Sequence, residues 1–127
     1  DSGAIIGLLG YVEGGNTMSK VEKRVRAGIR FLDKQYGKGW RKKIDLTKLN
    51  MGSFCDCILG QIGGHYAFHR EKLGISGDRA TDLGFNLPTE DILSISDYFA
   101  QWLILTQTWR RLLRDELKLK ARERKGK

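Results

Sequence analysis

The chain has 127 residues, of which 40% are hydrophobic and 30% are charged, and it carries a formal net charge of +8. This length suits one domain with one hydrophobic core, and no segment approaches the roughly 18 consecutive apolar residues of a membrane span. The chain has only two cysteines, with a single residue between them, so they cannot form an ordinary long-loop disulfide, and we expect a cytoplasmic, reducing compartment.

Residues 1–17 differ in composition from the rest of the chain. They contain five glycines, a density that disfavours a helix, and a short apolar run at 4–9 that could pair as a strand or dock on the body. Met18 is a candidate for the natural first residue of the protein. We therefore treat 1–17 as a Gly-rich extension and 18–127 as the helical domain.

The first predicted helix begins at Ser19, because Ser19 and Glu22 form a capping-box pattern. Apolar residues then recur at helical spacing as far as Tyr36, and Gly37 and Gly39 are expected to end the helix.

The middle of the chain predicts shorter elements. Residues 40–52 read as a turn plus a short helix that plugs the core, and Ser53 is expected to cap a following helix that reaches Tyr66. Glycines at 60, 63 and 64 would allow a kink or a close helix crossing. The segment 65–73 is again helical in pattern, and Gly74 closes it.

Residues 74–88 read as a loop with one helical turn at 78–83, and Pro88 is placed to open a new helix. A long last helix is predicted from about Asp97 into the 120s, with an apolar face broad enough for an oligomer interface and a frayed basic tail at about 118–127. The predicted fold is an all-α, compact single-domain bundle of four or five helices.

All cysteines and histidines lie in one 15-residue window, as Cys55, Cys57, His65 and His69. Histidines four residues apart on a helix share a face and could chelate a metal ion. Structural zinc sites usually separate their two cysteines by two to four residues, whereas one residue separates these two, and seven residues before the first histidine are too few for a zinc finger. We therefore favour no metal and no other cofactor, with zinc as the weaker alternative, and expect half-exposed histidines beside buried cysteines.

Positive charge is concentrated in two segments. Residues 20–43 hold ten Lys and Arg against two acids, and residues 110–127 hold nine against three. Such surfaces suit an acidic protein or a phosphate backbone, although a solvated face is the simpler alternative. Trp40, amid basic neighbours, could stack on a base but is more often a core residue. The candidate macromolecule-binding residues are Lys23, Arg26, Arg30, Lys34, Arg41, Lys42, Lys43, Arg110, Arg111 and Arg114.

The run from Gly39 to Tyr66, followed by KLGI and by DLGFNL, resembles small uncharacterised proteins of actinobacterial phages and prophages. Their pattern is W-x-x-K-I-D-L-x-x-L, then a cysteine before LGQ, a Gly-Phe turn and a C-terminal helix with a tryptophan; the histidine pair is not part of it. The resemblance covers about residues 20–114 and implies a phage accessory protein in a host cytoplasm, without supplying a reaction. The matching residues are Trp40, Lys43, Ile44, Asp45, Leu46, Leu49, Cys57, Leu59, Gly60, Gln61, Gly84, Phe85 and Trp109.

No nucleotide-binding, metalloprotease or hydrolase motif is present. We therefore expect a non-enzymatic protein that binds a host or phage macromolecule, most readily a protein with an acidic surface. Nonspecific nucleic-acid binding through backbone contacts is the alternative, and a small metal-dependent or cysteine-based enzyme is the third candidate. Membrane association is not expected, and a homo-oligomer through the C-terminal helix stays open.

Overall fold

The computed structural model describes residues 19–88 and 92–125, and within those ranges it contains five α-helices, one 3₁₀ helix and no strand. This confirms the all-α class and the long C-terminal helix, while the predicted extension at 1–17 lies outside the described residues. None of the described helices combines the length and the apolar character needed to cross a bilayer. The elements are α1 (Lys20–Tyr36), the 3₁₀ helix (Lys38–Lys43), α2 (Ile58–Gly63), α3 (Tyr66–Leu73), α4 (Gly77–Asp82) and α5 (Ile95–Lys125).

Helix α1 begins and ends where the sequence predicts. The Ser19 hydroxyl accepts a hydrogen bond from the Glu22 amide at 3.1 Å, which satisfies one of the free N–H groups of the first turn. Gly37 ends the helix with a positive φ of 72°, a backbone angle that glycine adopts readily. The helix buries Val25, Ile29 and Leu32 against the core.

The crossing of α1 and α5 is the centre of the core. Trp109 of α5 is fully buried, stacks on Phe85 at 5.8 Å between ring centroids, and donates its indole N–H to the carbonyl of Gly84 at 2.7 Å. Gly28 of α1 faces this tryptophan. A Cβ built on it would lie 3.0 Å from the indole ring and would overlap the carbonyl oxygen of Leu83. A glycine is therefore required for α1 to lie this close to the turn after α4, with the Trp109 ring of α5 beside it.

The segment between the 3₁₀ helix and α2 is tied to its surroundings by side-chain hydrogen bonds. The Gln61 amide accepts from the Asp45 amide at 2.6 Å and donates to the carbonyl of Asp56 at 2.9 Å. The hydroxyl of Thr106 in α5 accepts from the amide of Met51 at 2.9 Å. Asp45 and Gln61, which share one of these hydrogen bonds, thus help to hold the fold together.

The prediction that Ser53 caps a helix is wrong, because the residues after it form a turn. Ser53 accepts from the Asp56 amide in a turn, and α2 begins only at Ile58. Gly64, with φ of 96°, then ends α2 before α3 starts. The turn at 53–56 passes so close to Gly60 that a Cβ there would overlap the backbone of Phe54 and Cys55, so the close approach at Gly60 is made by this turn rather than by another helix. At Gly63 a Cβ would overlap the His69 ring, so there the close approach is made by α3.

The remaining elements follow the predictions with one exception. Helix α4 occupies the predicted turn at 78–83, and α5 covers the predicted last helix and continues through the tail expected to fray, as far as Lys125. Residues 89–91, where Pro88 was expected to open a helix, lie outside the described residues, and 92–94 are not helical. Helix α5 is instead capped by Ser94, whose hydroxyl accepts from the Asp97 amide at 3.1 Å.

Candidate functional site

The two cysteines take different environments. Cys57 is 1% exposed and caps α2, its sulfur accepting from the Gly60 amide at 3.3 Å. Cys55 is exposed on the preceding turn, so the expectation of two buried cysteines is wrong for this one. Burial raises the pKa of the Cys57 thiol, which keeps it protonated at neutral pH. Its hydrogen-bond partners are backbone groups, so the structure gives it no histidine base.

The two histidines also separate. His65 caps α3, where its Nδ1 accepts from the Ala67 amide at 3.1 Å. His69 is 4% exposed, so the expectation of two half-exposed histidines is wrong for this one. The physical reason is that a break at Gly64 puts His65 at a helix start and turns His69 inward. In the part of the chain that the structure describes, no three His, Cys, Asp or Glu side chains are placed to hold a metal ion.

His69 instead pairs with Tyr36, which lies 33 residues earlier in the chain. The Leu59 carbonyl can only accept, so Nδ1 of His69 carries the proton and donates to it at 2.9 Å. In the neutral ring Nε2 is then the acceptor for the Tyr36 hydroxyl, 2.5 Å away. Burial raises the pKa of Tyr36, so the phenol remains protonated as a donor.

The fold joins the two predicted basic segments into one surface. Glu22 accepts from Arg26 of α1 at 3.1 Å and from Arg111 of α5 at 2.8 Å. The hydrogen bond from Arg111 lowers the pKa of Glu22, and Arg26 adds to this effect against the opposing effect of burial. The exposed basic residues of each helix follow one another at intervals of three or four residues, which is the spacing of one helix face. We call the exposed set the basic surface: Lys23, Arg26, Arg30, Lys34, Arg111 and Arg114.

Two predicted binding residues are internal instead. Arg41 has a side chain 13% exposed and lies between Asp33 and Glu116, with its Nε 2.9 Å from the latter carboxylate. Burial alone would lower the pKa of Arg41, and its hydrogen bonds to Glu116 and Asp33 outweigh burial and raise that pKa. Arg110 donates to the backbone carbonyls of 46 and 49, both at 2.9 Å. These guanidinium groups connect helices and loop, and most of their N–H donors are already used by these partners.

Trp40, the aromatic candidate for base stacking, is also structural. Trp40 is 3% exposed and donates its indole N–H to Asp33 at 2.9 Å, so it does not present a face for base stacking. Its neighbours Lys42 and Lys43 are exposed. The simpler expectation, a core tryptophan with basic neighbours, is confirmed.

An aromatic groove lies between the turn at 53–56 and the first turns of α5. It has a volume of about 80 Å³. Phe54 and Tyr98 on its rim are 62% and 43% exposed, and Tyr98 contacts Trp102 edge-on at 6.2 Å. Its lining residues are Met51, Gly52, Ser53, Phe54, Tyr66, Phe85, Asn86, Tyr98 and Trp102.

Two polar atoms of this groove have no hydrogen-bond partner among the described residues. They are the hydroxyl of Tyr66 and the indole N–H of Trp102, and both are buried. The indoles of Trp40 and Trp109 both find acceptors, so Trp102 is the exception among the three tryptophans. A buried donor without an acceptor costs about 1–3 kcal/mol, which makes this pair notable.

No protein-family model matches the chain, and no curated protein or solved structure shows significant similarity to it.

Neither the groove nor the Tyr36–His69 pair is visible from the sequence, because their members lie far apart in the chain. The one available signal is the uncharged stretch from 98 to 109, which is too apolar for a helix with only one buried face. This stretch predicts the broad apolar face of the last helix, but it does not predict the groove beside that helix.

Proposed function

We propose that this chain is a non-enzymatic, phage-type accessory protein that binds an acidic segment of a partner protein in a host cytoplasm. The observation that carries the proposal is the aromatic groove, with its two unpartnered polar atoms and its exposed aromatic rim.

The chemistry of the groove favours an oxygen acceptor. The Trp102 N–H can only donate, and the Tyr66 hydroxyl can donate as well, so a carboxylate or carbonyl oxygen is the group that would satisfy either donor. A volume of about 80 Å³ exceeds that of one water, which takes about 30 Å³ in the liquid, and suits one short side chain. An Asp or Glu side chain flanked by apolar residues meets these requirements.

The rim supplies the apolar part of such an interface. Phe99, at 65% exposed, contacts Tyr98 at 5.5 Å, and Leu103 is 56% exposed one turn further along α5. On the other side, Phe54 stacks on His65 at 5.3 Å. Aromatic residues around a small pocket are the usual composition of interface hot spots.

The basic surface selects the charge of the partner. Arg111 lies nine residues beyond Trp102 on α5, which is about 14 Å along the helix axis and about half a turn around it, so a partner segment must cross α5 to reach both. The net charge of +8 disfavours a second copy of the same chain and attracts an acidic segment. An acidic amphipathic segment could therefore place one carboxylate in the groove and others along the basic surface.

Nucleic-acid binding is the alternative, and the joining of the two basic segments at Glu22 is the observation that favours it. The exposed apolar rim favours protein over nucleic acid, since a phosphate backbone offers it no apolar contact. A cysteine-based enzyme gains no support from the buried, capping Cys57.

The test is selection of peptides from a random displayed library on the purified protein, followed by dissociation constants for single labelled peptides. We expect selected peptides to be rich in Asp and Glu next to apolar residues. Trp102→Phe keeps an aromatic side chain, although a smaller one, and removes the N–H, and it should weaken binding by about tenfold or more, as loss of a hot-spot contact does. Leu119→Ala, an exposed position away from the groove, is its control.

A second pair of variants tests the charge. Replacing Arg111 and Arg114 by Gln should weaken binding and reduce its dependence on salt, while the same replacement of the exposed Lys118 and Lys120 should change it less than about twofold. Selected peptides without an acidic bias, or binding that survives Trp102→Phe, would refute the proposal. Retention of duplex DNA at about 50 mM salt that falls steeply with added salt would favour the nucleic-acid alternative, and a dimer dissociated by Trp102→Phe would assign the groove to a second copy.

A further inference from the structure

A second concave site lies away from the aromatic groove. It is a cleft of about 610 Å³ between the C-terminal end of α1, the 3₁₀ helix, α2 and α3. This volume lies within the range of about 300–1,000 Å³ that is usual for small-molecule sites. Its lining residues are Tyr36, Gly39, Trp40, Lys43, Ile62, Gly63, Phe68, His69 and Lys72.

The Tyr36–His69 pair forms a fixed polar wall of this cleft. Gly63 allows it, because a Cβ at that position would overlap the His69 ring. With its own proton donated to Nε2, the Tyr36 oxygen keeps lone pairs that can accept from a ligand hydroxyl or N–H. Tyr36 is 43% exposed, so this oxygen-bearing side chain is accessible from the cleft.

The charge of the cleft is positive. Lys43 and Lys72 both line it and are both exposed, and neither forms an ion pair with another residue in the described ranges. None of its described lining residues is acidic. Two ammonium groups without a counter-charge favour an anion in the same space.

The remaining wall is apolar and accessible. Phe68 is 73% exposed and Ile62 is half-buried, so the cleft offers a ring face and an aliphatic side chain beside its two lysines. A bare inorganic ion would leave this surface unused, whereas a ligand with a planar body would cover it.

We infer that the cleft binds an organic phosphate of mononucleotide size. The phosphate contacts Lys43 and Lys72, a hydroxyl or N–H of the ligand donates to the Tyr36 oxygen, and the apolar body lies against Phe68. This site uses none of the groove residues, so it stands or fails independently of the proposed protein partner.

The experiment is calorimetric or NMR titration of the full chain with adenosine monophosphate, with adenosine and inorganic phosphate as separate probes. We expect saturable binding of the monophosphate with a dissociation constant below about 1 mM, and binding of each separate probe at least about tenfold weaker. Backbone amide shifts should be concentrated at the cleft.

Three variants make the test specific. Replacing both Lys43 and Lys72 by Gln should weaken binding at least tenfold, whereas replacing the nearby exposed Lys42 and Lys48, which do not line the cleft, should leave it unchanged. Tyr36→Phe should weaken the monophosphate several-fold and leave inorganic phosphate unaffected. The inference is overturned if the monophosphate does not bind at 10 mM, if inorganic phosphate binds as tightly, or if the Lys42 and Lys48 variant loses as much affinity.

Discussion

Replacing Gly28 by Ala tests whether the close crossing of α1 and α5 determines the stability of the fold. At most helix positions this change is favourable, because Ala is about 1 kcal/mol better than Gly in a helix interior. Here the added Cβ would meet the carbonyl oxygen of Leu83 and would lie 3.0 Å from two ring atoms of Trp109. A backbone carbonyl cannot rotate away as a flexible side chain can, so α1 must move away from the turn after α4, and its contact with Trp109 of α5 changes with it.

Overpacking of this kind costs about 3 kcal/mol at the upper end of its usual range. Subtracting the gain of about 1 kcal/mol in helix propensity leaves a net loss of about 2 kcal/mol, which lowers the melting temperature of a domain this size by about 10 °C. Urea unfolding followed by tryptophan fluorescence measures the loss, since Trp109 is fully buried at the crossing.

The control is Gly39→Ala, where no heavy atom lies within 4 Å of the added Cβ and φ is not positive. Its effect should stay within about 0.5 kcal/mol, as for most surface substitutions. If the Gly28 variant is as stable as the parent chain, or more stable, then the packing around Gly28 is looser than described and does not determine the stability of the fold.

The remaining predictions concern titration, thiols and the buried hydrogen bond. Burial alone would raise the pKa of Asp33, but its ion pair with Arg41 and its hydrogen bond from the Trp40 indole lower that pKa. The Asp33 carboxylate therefore stabilises the fold above about pH 4 and loses this contribution as the pH falls. Asp33→Asn should make the free energy of unfolding less dependent on pH in the acid range, and an unchanged pH dependence would contradict the ion pair. A thiol reagent should modify one cysteine per folded chain, the exposed Cys55, and two in denaturant, and rapid reaction of Cys57 in the folded chain would show that it is not buried. Tyr36→Phe should lower the free energy of unfolding in urea by about 1 kcal/mol, because His69 loses the hydroxyl that donates to it. Tyr98→Phe, on the exposed rim of the groove, should change that free energy very little. Equal effects of the two substitutions would refute the pairing of Tyr36 with His69.

Local patterns in the sequence were sufficient for most helix boundaries. The capping pattern at Ser19, the glycine at 37 and the spacing of apolar residues each act within a few residues, so α1 and α5 could be placed in advance. The same local rules failed at Ser53, where the turn is held by contacts with Gly60 and by the Gln61 side chain, which pattern reasoning does not represent.

The candidate sites depended on contacts between distant segments. In the sequence Arg41 and Arg110 cannot be told apart from the other basic residues, and only the packing of α5 on the 3₁₀ helix and the following loop engages both in hydrogen bonds within the fold. Similarly, His69 could be paired with His65 by spacing but not with Tyr36, because that contact needs α1 and α3 to meet.

The sequence by itself therefore determined the all-α class, the long last helix, the two basic segments and the doubtful spacing of the cysteine and histidine window. Tertiary structure decided how those pieces are used: it joined the basic segments at Glu22, buried Cys57 and His69, and opened the aromatic groove and the cleft. The physical reason is that helix formation is governed by neighbours within four residues, whereas burial, ion pairing and concave surfaces arise only when helices far apart in the chain pack together.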